Sequence, residues 1–241
     1  MNIEIEKIRV SNFEVDVIRK DIKNMHLAVY PPTGRIRLSA PTTANSEMVR
    51  LFAISKIGWI KKHINNFNQQ PRESKRTFQA GESHYFLGIR YLLKVYEKPG
   101  SSEVKLGGTK IHLFVKEATS IEQKTTIMKE WYRQELKNIL PNLIEKWERI
   151  IGVKSSAWAV KQMRTKWGAC NTEEKRIWLN LELIKKPLIC IEYIIVHELV
   201  HLLERSHNEN FVKHMDHFMP KWRFHRDELN QLPVAHTDWE Y

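Results

Sequence analysis

The chain has 241 residues, 42% of them hydrophobic and eight of them Trp, enough apolar surface for one large folded domain or two small ones. Two cysteines, Cys170 and Cys190, exclude a disulfide framework, and no run of roughly 18 apolar residues offers a membrane span. The formal charge of +11 favours phosphate-bearing partners such as nucleotides or nucleic acid, but its cations are scattered and form no single binding arm.

The opening residues, MNIEIEKIRV, alternate apolar and charged side chains and lack the apolar run of a signal peptide, so the expectation is a soluble, cytoplasmic protein. Alternation continues to about residue 41 through "FEVDVIR", "MHLAVYP" and "RIRLSAP", which predicts an antiparallel meander with "PPTG" as a turn. Asn45 or Ser46 can cap one amphipathic helix running to about residue 67, with Val49, Phe52, Ile57, Ile60 and Ile64 facing a core. After a polar, basic loop, strand patterns resume in "YFLGIRYLLKVYEK" and "KIHLFVKE", the second entered through a turn at Gly107 and Gly108. Residues 1–118 therefore read as a β-rich unit with one helix.

From about residue 120 the period becomes helical. Ile127, Trp131, Leu136, Ile139, Leu143, Trp147 and Ile150 make an apolar stripe, with Pro141 predicted to bend or split the helix. "SSAWAVKQMRTKWGAC" and "KRIWLNLEL", joined by "NTEE", read as a hairpin, and Pro187 suits the first turn of a helix from about Leu188 to Leu203. Residues 119–241 would form a second domain, the whole fold is α+β, and no internal repeat is apparent.

That last helix carries "HELVHLLERSH". Residues four apart share a helical face, so His197 and His201 can direct both imidazoles at one metal ion, and Glu198 can reach a water held by it. His207 follows at the interval of the last His in HExxHxxGxxH, but Glu204 stands at the glycine position, so the chain must turn by other means. Glu209, His214, Asp216 and His217, on the next predicted helix, are alternative third ligands. Cys170 can approach from the hairpin, and Tyr193 lies one turn before His197. Trp167 and Gly168 suit a packed turn where glycine permits close backbone approach.

The segments "KWGACN…IWLN" and "EYIIVHELVHLLERSHNENFVKHM", together with "GRIRLSAP", "KIGWIKKH", "LGIRYLLKV" and "WYRQEL", resemble the YgjP-like predicted metal-dependent hydrolases, relatives of the zincin metallopeptidases and of SprT-like proteins. The resemblance covers most of the chain. It implies a zincin-like catalytic domain of helix, β-hairpin, HExxH helix and C-terminal helices. One zinc ion would be bound by His197, His201 and His207, with Glu198 as catalytic acid/base. In that family the third His follows at this interval without the glycine.

The implied activity is hydrolysis of a peptide or protein by a zinc-activated water. Members resembling this chain have also been associated with nucleoside triphosphate, notably UTP, pyrophosphatase activity. Arg164 and Lys166, read as one face of a strand with Lys161 on the other, would then bind phosphate. Asn180 is either a strand-end cap or a substrate hydrogen-bond donor. A third expectation is an SprT-like protease recruited to DNA by the +11 charge, although the sequence shows neither a pair of CxxC motifs nor an aromatic-basic stripe.

Overall fold

The apolar alternation of "FEVDVIRK" and "RIRLSAP" places these two segments side by side at the centre of a sheet. In the computed structural model, which describes residues 5–30, 34–69, 76–163 and 166–232, four strands open the chain: β1 (Ile5–Val10), β2 (Phe13–Lys20), β3 (His26–Tyr30) and β4 (Arg35–Pro41). Their order is β1-β2-β4-β3, with β2 and β4 parallel. The expected meander is thus corrected. β2 and β4 contribute Val15, Val17, Ile36, Leu38 and Ala40, all buried, and strands this apolar gain most where neighbours flank them on both sides.

Two helices pack on this sheet, α1 (Ser46–Ser55) and α2 (Ile57–Gln69), where one was expected. Asn45 caps α1 by accepting the Met48 amide at 2.8 Å. The break falls at Lys56, whose N–H turns back to Ala53 at 3.1 Å, while the Ser55 hydroxyl donates to the Phe52 carbonyl. Of the expected stripe, Val49 and Ile60 are buried in the core and Phe52, Ile57 and Ile64 pack against it, with Ala53 buried as well.

The second unit repeats the strand order of the first. β5 (Ser83–Phe86), β6 (Ile89–Glu97), β7 (Glu103–Gly107) and β8 (Lys110–Val115) are arranged β5-β6-β8-β7, again with the central pair parallel. Each sheet is followed by helix, so the chain uses one four-strand topology twice, a repeat of form invisible in residue identities. The helix after the second sheet, α3 (Ile121–Ile151), begins with a reciprocal Ser120–Gln123 capping box and ends at Gly152 in the left-handed conformation. It runs unbroken through Pro141. Its deepest stripe is Met128, Tyr132, Leu136, Leu140, Ile144, Trp147 and Ile151, with Ile127, Trp131, Ile139 and Leu143 beside it and Ile150 exposed.

The chain forms two compact units, the first ending at residue 71, and Leu93, Ile111, Leu113 and Val115 of the second sheet share one core with α3 and the later helices. The tip of the β5–β6 hairpin, Leu87 and Gly88, has both residues at positive φ and donates to the carbonyls of Ile184 and Lys185 at 2.8 and 3.2 Å.

The predicted hairpin of the site region is a three-stranded sheet. β9 (Ala157–Lys161) and β10 (Gly168–Asn171) flank β11 (Arg176–Asn180), with β10 antiparallel and β9 parallel to it. A short 3-10 helix (Leu181–Lys185) then leads to α4 (Leu188–Val200), α5 (Glu209–Phe218) and α6 (Trp222–Gln231). Strands and helices together make the α+β fold that the sequence implied. No described helix is long and apolar enough to cross a membrane.

Candidate metal centre

α4 is apolar around its circumference and is covered from its second turn on: Ile191, Ile195, Val196, Leu199 and Val200 are fully buried. His197 and Glu198 occupy its last turn and His201 caps it, still in helical conformation. The two imidazoles therefore share a face, with ring centroids 5.0 Å apart. Beyond His201 the chain tightens, with Leu203 and Glu204 both donating to the Val200 carbonyl, and then reverses with no left-handed residue between 201 and 208. The reversal returns His207 to the helix, its Nε2 3.0 Å from His197 Nε2. One nitrogen from each of the three rings lies within 4.8 Å of the others.

Glu204 makes this turn without glycine. Its backbone carbonyl lies 3.2 Å from His201 Nδ1, which fixes that nitrogen as the N–H and leaves Nε2 with a free lone pair. Its carboxylate accepts the Ser206 amide at 3.0 Å and bonds the Asn208 side chain. Asn208 in turn caps α5 by accepting the amides of Asn210 and Phe211. Hydrogen bonds replace the backbone freedom that glycine gives to the longer motif.

α5 then supplies a residue the sequence reading missed. The buried ring of Phe211 packs on all three imidazoles, with centroids 5.0, 4.8 and 4.7 Å from His197, His201 and His207. Its signal was its position, one helical turn past His207 and inside the cap set by Asn208.

Burial and the two neighbouring imidazoles push His197 down to about 3, and burial also lowers His201. Both are therefore neutral at neutral pH. Lone pairs 3.0 Å apart repel unless a proton or a cation lies between them, and a proton can bridge only two of three converging rings. The donor set fits a zinc ion, which accepts three neutral imidazoles and keeps a position open.

Glu198 is buried beside this cluster, and burial pushes its carboxyl up to about 8 against the opposing charge of Lys166. β10 passes so close that a Cβ on Gly168 would stand 2.5 Å from Glu198 Oε1. The close approach read from the sequence at Gly168 is thus specific to the carboxylate. β10 is also an edge strand, and its residues Gly168–Asn171 line an open cleft of about 770 Å³ together with the three histidines, Tyr193, Lys166 and Arg205.

Other expected residues are placed differently. Asn180 spends both amide hydrogens on the carbonyls of Met163 and Lys166, at 3.0 and 2.7 Å, and caps the 3-10 helix, so it has no donor left for substrate. Lys166 lines the cleft, but it precedes β10 and lies in no strand, so the strand alternation with Lys161 does not extend to it. Arg164 lies outside the described residues. Cys170 faces the cleft as a thiol raised to about 11 by burial and Glu198, and it does not join the converging nitrogens. Glu209, His214 and His217 do not join them either, and Asp216 is engaged by Trp222 Nε1 at 2.7 Å and by Arg223. Tyr193 meets His197 edge-on and stacks on Trp222.

Two solved structures are similar to part of the chain. The metallopeptidase zymogen abylysin of Pyrococcus abyssi is 18% identical over 40% of this chain and 100% of that one, with a TM-score of 0.36. The metallopeptidase zymogen jannalysin of Methanocaldococcus jannaschii is 18% identical over 38% and 93%, with a TM-score of 0.34. No curated relative matches. A family model described as YgjP-like, metallopeptidase domain, matches residues 23–232, which include β3 and β4 of the first sheet, all of the second sheet and the histidine cluster. The chain belongs to the YgjP-like metallopeptidase family.

Proposed function

We propose that the chain is a zinc-dependent peptidase in which His197, His201 and His207 hold one zinc ion and Glu198 moves the proton. The observation that carries this reading is the convergence of three imidazole nitrogens within 4.8 Å of one another, next to a buried carboxylate. When bound, zinc would polarise the scissile carbonyl and lower the pKa of its water toward about 7. Glu198 accepts the proton of the water that attacks the carbonyl carbon. It then delivers that proton to the amine as the C–N bond breaks.

The free edge of β10 supports a peptide substrate. An extended backbone can add to an exposed edge strand through main-chain hydrogen bonds, and this edge borders the cleft that holds Glu198. A nucleotide reading draws on Lys166 and Arg205, cations on the same cleft. Zinc-loaded protein tested against peptides, proteins and nucleoside triphosphates separates the two: peptide cleavage without pyrophosphate release supports the peptidase, and pyrophosphate release from UTP alone overturns it.

A further inference from the structure

The solvent face of the second sheet carries an aromatic and basic surface that residue order conceals. Outward positions alternate along each strand, and the registers Lys94↔His112 and Tyr96↔Phe114 between β6 and β8, with Lys105↔His112 and Glu103↔Phe114 between β7 and β8, bring them together. The opposite face, with Leu93, Ile111, Leu113 and Val115, is buried in the core shared with α3. What remains outside is a cluster of three rings within 20° of parallel. Tyr96 lies 4.8 Å from Phe114 and 5.7 Å from His112, centroid to centroid, and its hydroxyl meets His112 Nδ1 at 3.1 Å.

Lysines surround the rings. Lys98 Nζ stands 4.1 Å over Phe114 and Lys94 Nζ 5.0 Å over Tyr96, while exposed Lys105 and Lys110 lie on the neighbouring positions. Glu103 is the one carboxylate among the outward positions of β6, β7 and β8, and it pairs with Lys98 and Lys105. Lys94 and Lys110 have no carboxylate partner among the described residues.

We infer that this face binds single-stranded nucleic acid. Aromatic rings on a sheet are a stacking surface for unpaired bases, and the lysines among them supply cations for the backbone phosphates. The lysine now over Phe114 marks where a base would stack, and displacing its ammonium frees it for the adjoining phosphate. A duplex, with its bases paired and stacked inside, would gain only the ionic part. An acidic polypeptide would likewise find the lysines but leave the rings unused.

The test is fluorescence anisotropy of labelled oligothymidylate with the full chain. Wild type should bind, and more weakly as salt rises. Tyr96→Leu with Phe114→Leu should lower affinity by roughly 5- to 150-fold per base unstacked. Because those rings are half-buried, a second variant guards against misfolding: exposed Lys94→Ala, Lys98→Ala and Lys110→Ala should flatten the log-log salt slope by about two. Lys56→Ala, Lys61→Ala and Lys62→Ala, an equal charge change on the first unit, should leave the slope unchanged. Absence of binding at low salt would overturn the inference. So would equal affinity for duplex or polyglutamate, or equal losses from the two lysine triplets.

Discussion

Gly168 and Glu198 stand so close that a single methyl group on the glycine would lie 2.5 Å from the carboxylate oxygen. Gly168 is not at positive φ, so what it provides is space, and Gly168→Ala must move a buried glutamate or the edge strand itself. Peptidase activity should fall by about two orders of magnitude, the scale of a 1 Å misplacement in an active site, while circular dichroism shows the fold retained. Undiminished kcat/KM would mean that the carboxylate position is not critical.

Glu204 should act on the metal from outside its ligand set. Glu204→Ala removes the acceptor of the Ser206 amide and the partner of Asn208, loosening the turn that returns His207. Zinc affinity measured against a competing chelator should drop by about 10- to 100-fold. Glu204→Gln, which keeps an acceptor oxygen, should recover part of the loss.

Phe211 is both core and support. Truncation to Ala removes the ring on which three imidazoles rest and should cost about 3–5 kcal/mol in urea unfolding of the metal-free protein. Zinc should restore less stability to this variant than to wild type. Equal stabilisation by zinc would mean that the ring does not order the ligands.

Glu148 gives a pH dependence remote from the site. Burial alone would raise its carboxyl, but hydrogen bonds from Lys154, the Ser155 hydroxyl and the Ser155 amide, at 2.6, 2.6 and 2.8 Å, outweigh it and hold the group below its usual range. A carboxyl lowered by folding stabilises the native state above its unfolded pKa of about 4.3, and that contribution is lost as pH falls through the lower folded value. The stability difference between wild type and Glu148→Gln, measured by denaturant unfolding without metal, should be about 1–3 kcal/mol at neutral pH and shrink below about pH 4. A difference that grows with acid would reverse the assigned sign.

The histidine cluster was legible in the sequence because its geometry is local: two of its imidazoles follow from the 3.6-residue period, and the third lies six residues on. Partner choice among strands was not legible. Period-two alternation identifies a strand and its buried face, but both four-stranded sheets interleave their third and fourth strands, and nothing in "MHLAVYP" says it lies beyond "RIRLSAP". The same limit misread "SSAWAVKQMRTKWGAC" as one strand when β9 and β10 lie on opposite sides of β11. Asn180 illustrates a polar residue whose role depends on which backbone folds over it. The pairing of Tyr96 with Phe114 across parallel strands was hidden for this reason too.

Turnover of a peptide substrate by Glu198→Gln protein carrying one zinc ion tests the central claim most directly. Glutamine fills nearly the same volume and leaves the three histidines in place, so zinc content should match wild type while kcat falls by at least about 10²-fold, the scale of a lost general base. A zinc-loaded Glu198→Gln that cleaves peptide as fast as wild type would contradict the account.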